Sequence, residues 1–252
     1  MRAALIRGSL LTSAALIATA CGSHVAPPTS AGPSASAADA TAVLLCGAAV
    51  PAGTANVLFA SDLSQNCRAL GERGVPGATP KQGYHDADGY RVVLAAGEEL
   101  TEWVRAARYS PGPPADVRIE VDAGVVSGPP DATFGMMCRF NMGLTPGNPD
   151  PKMYSFLFRP DGRYQIEYLE GQLANPRDRI LLAGRGLAPR AGFNRVRVEC
   201  IGKSLTLYLN GQRIASIEDD RLPAGLSGIR AQNYDDKQRS EFIFRNFIVM
   251  RP

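Results

Sequence analysis

The chain predicts an all-β fold, an antiparallel β-sandwich of jelly-roll type, on three observations. About a dozen short segments alternate apolar and polar residues, Pro- and Gly-rich turn signals separate them, and no long helical stripe develops. The alternation is clearest from Asn194 to Gly211, NRVRVECIGKSLTLYLNG. Val196, Val198 and Cys200 alternate there with Arg195, Arg197 and Glu199, and Leu205, Leu207 and Leu209 with Thr206 and Tyr208. A Gly202-Lys203 loop, Gly first as a type II′ turn needs, sets Cys200 opposite Leu205, Val198 opposite Leu207 and Val196 opposite Leu209. Asn210-Gly211 is a type I′ signal, and folding there sets Leu207 against Ile214 and Tyr208 against Arg213.

Taken in order, Met1 to Ala20 carries Arg2 and Arg7, an apolar run too short to span a bilayer, and Ala18-Thr19-Ala20 before Cys21. This predicts an export signal over residues 1–20. The small residues before Cys21 resemble the lipobox of bacterial lipoproteins, with Ala18 where that pattern usually has Leu. The resemblance implies acylation of Cys21, with palmitate among the chains, and anchorage to the outer face of the cell membrane; ordinary secretion with cleavage elsewhere is the alternative. Residues 21–42 are rich in Ser, Ala, Pro and Gly without apolar periodicity, and read as a disordered tether. Without the signal the chain holds 25 basic against 24 acidic residues, so no nucleic-acid footprint is expected. Residues 43–252 are left for one sandwich domain.

With Cys21 assigned to lipid, Cys46, Cys67, Cys138 and Cys200 remain, and an even number in an exported chain points to two disulfides. Of the three pairings, Cys46 with Cys67 and Cys138 with Cys200 is favoured: the first two flank the opening strand, and the others occupy inward-facing strand positions. A zinc site is the rival reading, but there is no CxxC or Cys/His spacing, and His24 and His85 are the only histidines.

Strands are expected at Ala55–Ala60, at Gly89–Ala95 after the turn HDAD, and at Leu100–Tyr109, where a helical stripe competes. Asp116–Val126 alternates cleanly and stops at Ser127-Gly128-Pro129-Pro130. Phe134–Phe140 puts Met136, Cys138 and Phe140 on one face and Met137 and Arg139 on the other. Lys152–Arg159 and Arg163–Leu169 form a hairpin about Pro160-Asp161-Gly162. Ile180–Ala183, Gly225–Ala231 and Glu241–Met250 complete the set. In the last of these, Phe242 and Phe244 share a face with Phe247 and Val249 only if a bulge intervenes near Asn246.

The succession DVRIEVDAG, FGMMCRF, KMYSFLFRPDGRYQIEY, NRVRVECIGKSLTLYLNGQRIASIED, GLSGIRA and FIFRNFIVMRP resembles the concanavalin A-like lectin/glucanase superfamily. Within it, the chain is similar to the LamG-like and 3-keto-disaccharide hydrolase-like domains of bacterial exported proteins. The resemblance covers most of Asn56 to Pro252 and implies a fold rather than an activity, because the superfamily includes lectins, adhesion modules and glycosidases.

A glucanase of this superfamily carries Glu-x-Asp-x-x-Glu on one strand, so that two carboxyls flank the scissile bond. Glu120-Val121-Asp122 begins that pattern, but Val125 stands in the third place, so polar alternation on a solvated strand explains it better. Glu167 and Glu170 have the wrong spacing for one strand face and read as surface residues. A serine triad would need His85, and there is no GxSxG elbow. No catalytic set, metal ligand set or cofactor is expected; structural calcium at the HDAD turn or at Asp235-Asp236 competes with ordinary solvated turn acids.

Sugar binding uses aromatic faces and planar polar side chains, which the resemblance implies on the concave sheet and its rim. Candidates are Arg139, Tyr154, Gln165, Trp103, Asn233 and Tyr234. Core packing of Tyr154 and Trp103 and cross-strand pairing of Arg139 are the competing readings, and Arg213 beneath Tyr208 reads as a stacking pair. The expected function is a lipid-anchored envelope protein whose non-catalytic sandwich binds glycan or another envelope component. A carbohydrate-active hydrolase of the 3-keto-disaccharide hydrolase-like type and a protein-interaction or structural domain are the alternatives.

Overall fold

The computed structural model describes residues 44–46, 56–66, 70, 82–104, 112–143, 150–171 and 177–252. The export signal, Cys21, the tether and Cys67 lie outside them. Fifteen strands and no helix are found among the described residues. The first five are β1 (Leu44–Cys46), β2 (Val57–Ser61), β3 (Gly83–Asp86), β4 (Gly89–Leu94) and β5 (Glu99–Trp103). The middle of the chain gives β6 (Val117–Ser127), β7 (Thr133–Asn141), β8 (Lys152–Phe158), β9 (Arg163–Glu170) and β10 (Arg177–Arg185). The last five are β11 (Phe193–Ile201), β12 (Ser204–Leu209), β13 (Gln212–Glu218), β14 (Leu226–Gln232) and β15 (Ser240–Met250).

They form two sheets. The nine-stranded sheet runs β1-β2-β15-β6-β11-β12-β13, with β4 also on β15 and β3 on β4; the six-stranded sheet runs β10-β9-β8-β7-β14-β5. Every pairing is antiparallel except β1 with β2. The architecture is the all-β jelly-roll sandwich that the alternation predicts.

The hairpin β11–β12 has the expected register, Val196 opposite Leu209, Val198 opposite Leu207 and Cys200 opposite Leu205, about a Gly202 with φ 53°. Asn210 and Gly211 both take positive φ, as a type I′ turn demands, and Tyr208 lies opposite Arg213. Leu207, however, faces Ala215 and not Ile214, because the register shifts between Leu207 and Tyr208.

A bulge also falls where β15 needs one. The register slips between Arg245 and Ile248, Asn246 takes φ 53°, and Phe242, Phe244, Phe247 and Val249 all reach the core. The strand is thereby split between two neighbours, β4 along its first half and β2 along its second.

Between the sheets lie Ile119 and Val121 of β6, Val196 and Val198 of β11, and Leu205 and Leu207 of β12. Facing them are Phe134, Met136, Phe156, Phe158 and Ile166, all essentially inaccessible. Each such side chain contributes about 2 kcal/mol by leaving water. Cys138 of β7 and Cys200 of β11 are disulfide-bonded, Cα to Cα 6.7 Å, so the bridge crosses the core and joins the sheets. Cys46 is disulfide-bonded too; Cys67, its expected partner, lies outside the described residues.

Candidate functional site

The face of the six-stranded sheet turned away from the core carries a continuous polar network. Its centre is Arg230 on β14. Ile229 and Ala231 point into the core, so the alternation sends Arg230 to the other side, level with Thr101 on β5 and Gly135 on β7. Gly135 stands no side chain in the way, and none could be added: a Cβ there would meet the Phe156 carbonyl oxygen at 1.9 Å. The guanidinium reaches past β7. Its Nη1 donates to Ser155 Oγ on β8 at 3.0 Å and to Glu167 Oε2 on β9 at 2.8 Å, while Nη2 donates to Glu99 Oε2 on β5 at 3.2 Å.

Two amides extend the network. Gln165 Nε2 donates to Glu167 Oε1 at 2.6 Å, and Gln232 Nε2 to Glu99 Oε2 at 3.1 Å. Thr133 Oγ1 donates to Gln232 Oε1 at 3.4 Å, and the Tyr234 hydroxyl donates to the same oxygen. Arg230 is 0% exposed and Glu167 2%. A cation this deep needs the two carboxylates, because an uncompensated buried charge costs several kcal/mol.

Towards its ends the face opens. Trp103, at the end of β5, is partly buried and packs on Phe140, ring centroids 4.8 Å apart. At the opposite end Tyr234 is 47% exposed, with the Arg159 guanidinium 6.0 Å from its ring centroid. Arg163 on β9 and Arg185 on β10 lie opposite each other nearby, both within 4 Å of Asp161 Oδ2.

The sequence-predicted candidates therefore separate. Gln165 belongs to the network, Tyr234 is tied to it through Gln232, and Trp103 stands on the same face at the far end. Arg139, expected on the outer face, is buried. A register shift between Cys138 and Asn141 and a φ of 52° turn it inward, and its guanidinium donates to the carbonyl oxygens of Ala115, Leu222 and Gly202 at 3.1, 2.9 and 2.6 Å.

Tyr154 is fully buried between the sheets. Its hydroxyl donates to Asp219 Oδ1 and accepts from the Leu222 N–H, and burial, then the Asp219 carboxylate, pushes the phenol well above the ordinary tyrosine range. Asn233 is also buried, its amide holding the carbonyl oxygens of Ala95 and Gln238 at 2.9 and 2.7 Å. These three side chains hold the fold rather than line a groove.

Glu167, read from the sequence as a surface residue, is interior to the network. Arg230 and Glu99 were not singled out at all. An arginine alone in the run GLSGIRA is the signal that finds them, since a strand charge flanked by core residues demands partners.

Elsewhere, the acids and the histidine that the sequence brings into question are matched locally. Glu120 and Asp122 lie on the outer face of the nine-stranded sheet, both held by Arg195 at 2.7 and 3.2 Å, so the truncated glucanase pattern sits on the wrong sheet for the network. The partner stacked on Tyr208 is Arg197, 3.8 Å from the ring centroid, and not Arg213. Both ring nitrogens of His85 face backbone carbonyl oxygens, Leu63 at 2.8 Å and Leu70 at 3.4 Å. In the HDAD turn Asp86 pairs with Arg91 at 2.7 Å. Asp235 accepts from the N–H groups of Gln238 and Lys237, which hold its carboxyl below the usual range. Among the described residues no group of His, Cys, Asp and Glu is arranged to hold a metal ion.

No protein-family model matches the chain, and no curated protein matches it. Solved structures do. A carbohydrate-binding module, CBM66, from Bacillus subtilis superposes with a TM-score of 0.52 at 10% identity, over 72% of this chain and 95% of that one. A B. subtilis protein of unknown function with a galectin-like fold gives 0.53 at 11% identity, over 78% and 96%. The β-glucanase of Bacillus licheniformis gives 0.51 at 11% identity, over 77% and 97%. The fold is thus that of the concanavalin A-like and galectin-like jelly rolls, on which both a glucanase and a carbohydrate-binding module are built.

Proposed function

We propose that residues 43–252 form a non-catalytic glycan-binding module, and that Cys21, exposed by removal of residues 1–20, is acylated and anchors the protein to the outer face of the cell membrane through the tether of residues 21–42. The observation that carries the binding reading is the network about Arg230. It fixes two amides, Gln165 and Gln232, on one sheet face beside a partly exposed aromatic, Tyr234. Planar polar groups held rigidly next to an aromatic ring suit the hydroxyls and apolar faces of a sugar. The likeness to a carbohydrate-binding module supports the same reading.

Hydrolysis is the second reading, favoured by the likeness to a β-glucanase and by the presence of Glu99 and Glu167 on this face. Retaining and inverting hydrolysis both need one carboxyl to deliver a proton to the leaving oxygen. Here both carboxylates are held on one guanidinium, which favours binding over turnover.

A glycan array probed with the purified chain, its Gln165→Ala and its Tyr234→Ala forms tests the proposal. Glycan signal weakened by both substitutions is expected, with no reducing sugar released; absence of any signal would sink the binding reading, and release of reducing ends would replace it with hydrolysis. Incorporation of labelled palmitate, lost in Cys21→Ser, tests the anchor.

A further inference from the structure

The geometry points to an anion-reading subsite at the Arg163–Arg185 end of the six-stranded sheet, so that the bound glycan is an acidic one bearing carboxylate, sulfate or phosphate groups; this rests on the glycan-binding reading above. Arg163 and Arg185 are register partners on β9 and β10. Like charges placed side by side across strands oppose folding. Both are nevertheless well exposed, 56% and 65%, and the pair shares a single carboxylate, Asp161, at 3.4 and 3.9 Å. Asp161 is further committed to its own turn, where Oδ1 accepts from the Arg163 N–H at 3.0 Å. One positive charge is left over at the pair.

A third arginine comes from the same turn. The N–H of Arg159 donates to the Arg163 carbonyl oxygen at 2.8 Å, closing the turn, and its guanidinium extends towards the Tyr234 ring. The turn is also fixed to the neighbouring segment by the Gly186 N–H donating to the Gly162 carbonyl oxygen at 2.9 Å. The three cations are therefore mounted on a braced corner.

Arg163 is two residues before Gln165 on the same face, so the corner continues the polar network outward. The acids of that network, Glu167 and Glu99, are turned to Arg230. At the open end Arg163 and Arg185 present guanidinium to solvent, and its planar fork suits carboxylate, sulfate and phosphate oxygens. The competing account is that Arg185 only guards β10, an edge strand, against pairing with other chains.

Affinity gels cast with polygalacturonate, hyaluronate, alginate and sulfated glucan, each paired with its carboxyl-reduced or desulfated form, decide between these. The full chain is expected to bind at least one acidic member and to prefer it over its neutral counterpart. Arg163→Ala/Arg185→Ala should weaken the acidic complex by about tenfold per arginine and leave any neutral binding unchanged. Arg163→Lys/Arg185→Lys should restore only part of the loss, because the charge returns without the fork. Equal binding of both forms overturns the acidic subsite and leaves glycan binding standing. No binding to any member, together with a silent glycan array, overturns both. Self-association of the Ala variant with unchanged glycan preference assigns the arginines to edge protection, and Arg-dependent binding to phosphatidylglycerol vesicles but to no glycan assigns them to a lipid surface; either overturns the subsite.

Discussion

Arg230 holds Glu167 at 2.8 Å although two strands, β7 and β8, lie between the strands that carry them. The contact couples one edge region of the six-stranded sheet to the other through side chains, in addition to the backbone ladders.

Removing one partner should therefore be costly. Arg230→Ala is expected to lower unfolding free energy by about 3–5 kcal/mol, because it leaves a buried carboxylate without its cation. Glu167→Met/Arg230→Met should cost less than the sum of the two single changes, since the charges leave together. Urea denaturation of the parent, Glu167→Met, Arg230→Met and the double variant checks this, and additivity of the two single effects would contradict the pairing.

Tyr154 gives the fold a limit at high pH. Its phenol is raised above its unfolded value, so the folded state keeps the proton longer than the unfolded state does. Its contribution is complete below the unfolded value, about pH 10, and is lost as pH rises through the raised one, at up to about 1.4 kcal/mol per pH unit. Tyr154→Phe should be less stable at pH 7 by about 1–3 kcal/mol, because the Leu222 N–H loses its acceptor and Asp219 one of its donors. It should also show a shallower loss between pH 10 and 12. Parallel alkaline slopes for the two proteins would exclude this role.

The bulge at Asn246 separates backbone from side-chain effects. Asn246 takes φ 53° and donates from Nδ2 to Asp122 Oδ2 at 2.7 Å. Asn246→Gly keeps the backbone at ease and loses the bond, about 1 kcal/mol; Asn246→Ala loses the bond and adds about 1–2 kcal/mol for the left-handed conformation. Thermal midpoints should fall in the order Asn, Gly, Ala, and equal midpoints for Gly and Ala would show that the backbone carries no strain there.

The bridge between Cys138 and Cys200 closes 62 residues of sequence. A chain-entropy argument gives a loop of that length about 4 kcal/mol. Cys138→Ala/Cys200→Ala is expected to lose roughly 2–5 kcal/mol while keeping the far-UV spectrum of a β protein. A midpoint unchanged from the parent would mean that the core alone sets stability.

What was legible in the sequence is what depends on neighbours along the chain. Gly202 and Asn210-Gly211 fixed the turns, the alternation of Val196 to Leu209 fixed the register, and the misfit of Phe244 with Phe247 located the bulge at Asn246. Arg139 was misplaced because a second bulge, after Cys138, leaves no local mark: its φ of 52° is tolerated by tertiary contacts, including a close approach in which a Cβ on Gly225 would meet the Arg139 carbonyl carbon at 2.3 Å. The Arg230 network was illegible for a different reason. Glu99, Glu167 and Arg230 come from three strands far apart in sequence, and only sheet order brings them together. Strand β3 was missed because GYHD is short and polar, and owes its pairing to β4.

The disulfide also bears on when and where this chain finishes folding. Its two sulfurs come from opposite sheets, so assembly of the sandwich brings them together, and the bond persists only where thiols are oxidised. A copy held in a reducing compartment would lack the cross-link, open more often, and present β7 and β11 to proteases. Maturation is thereby coupled to redox environment: the molecule reaches its full lifetime only where thiols are oxidised.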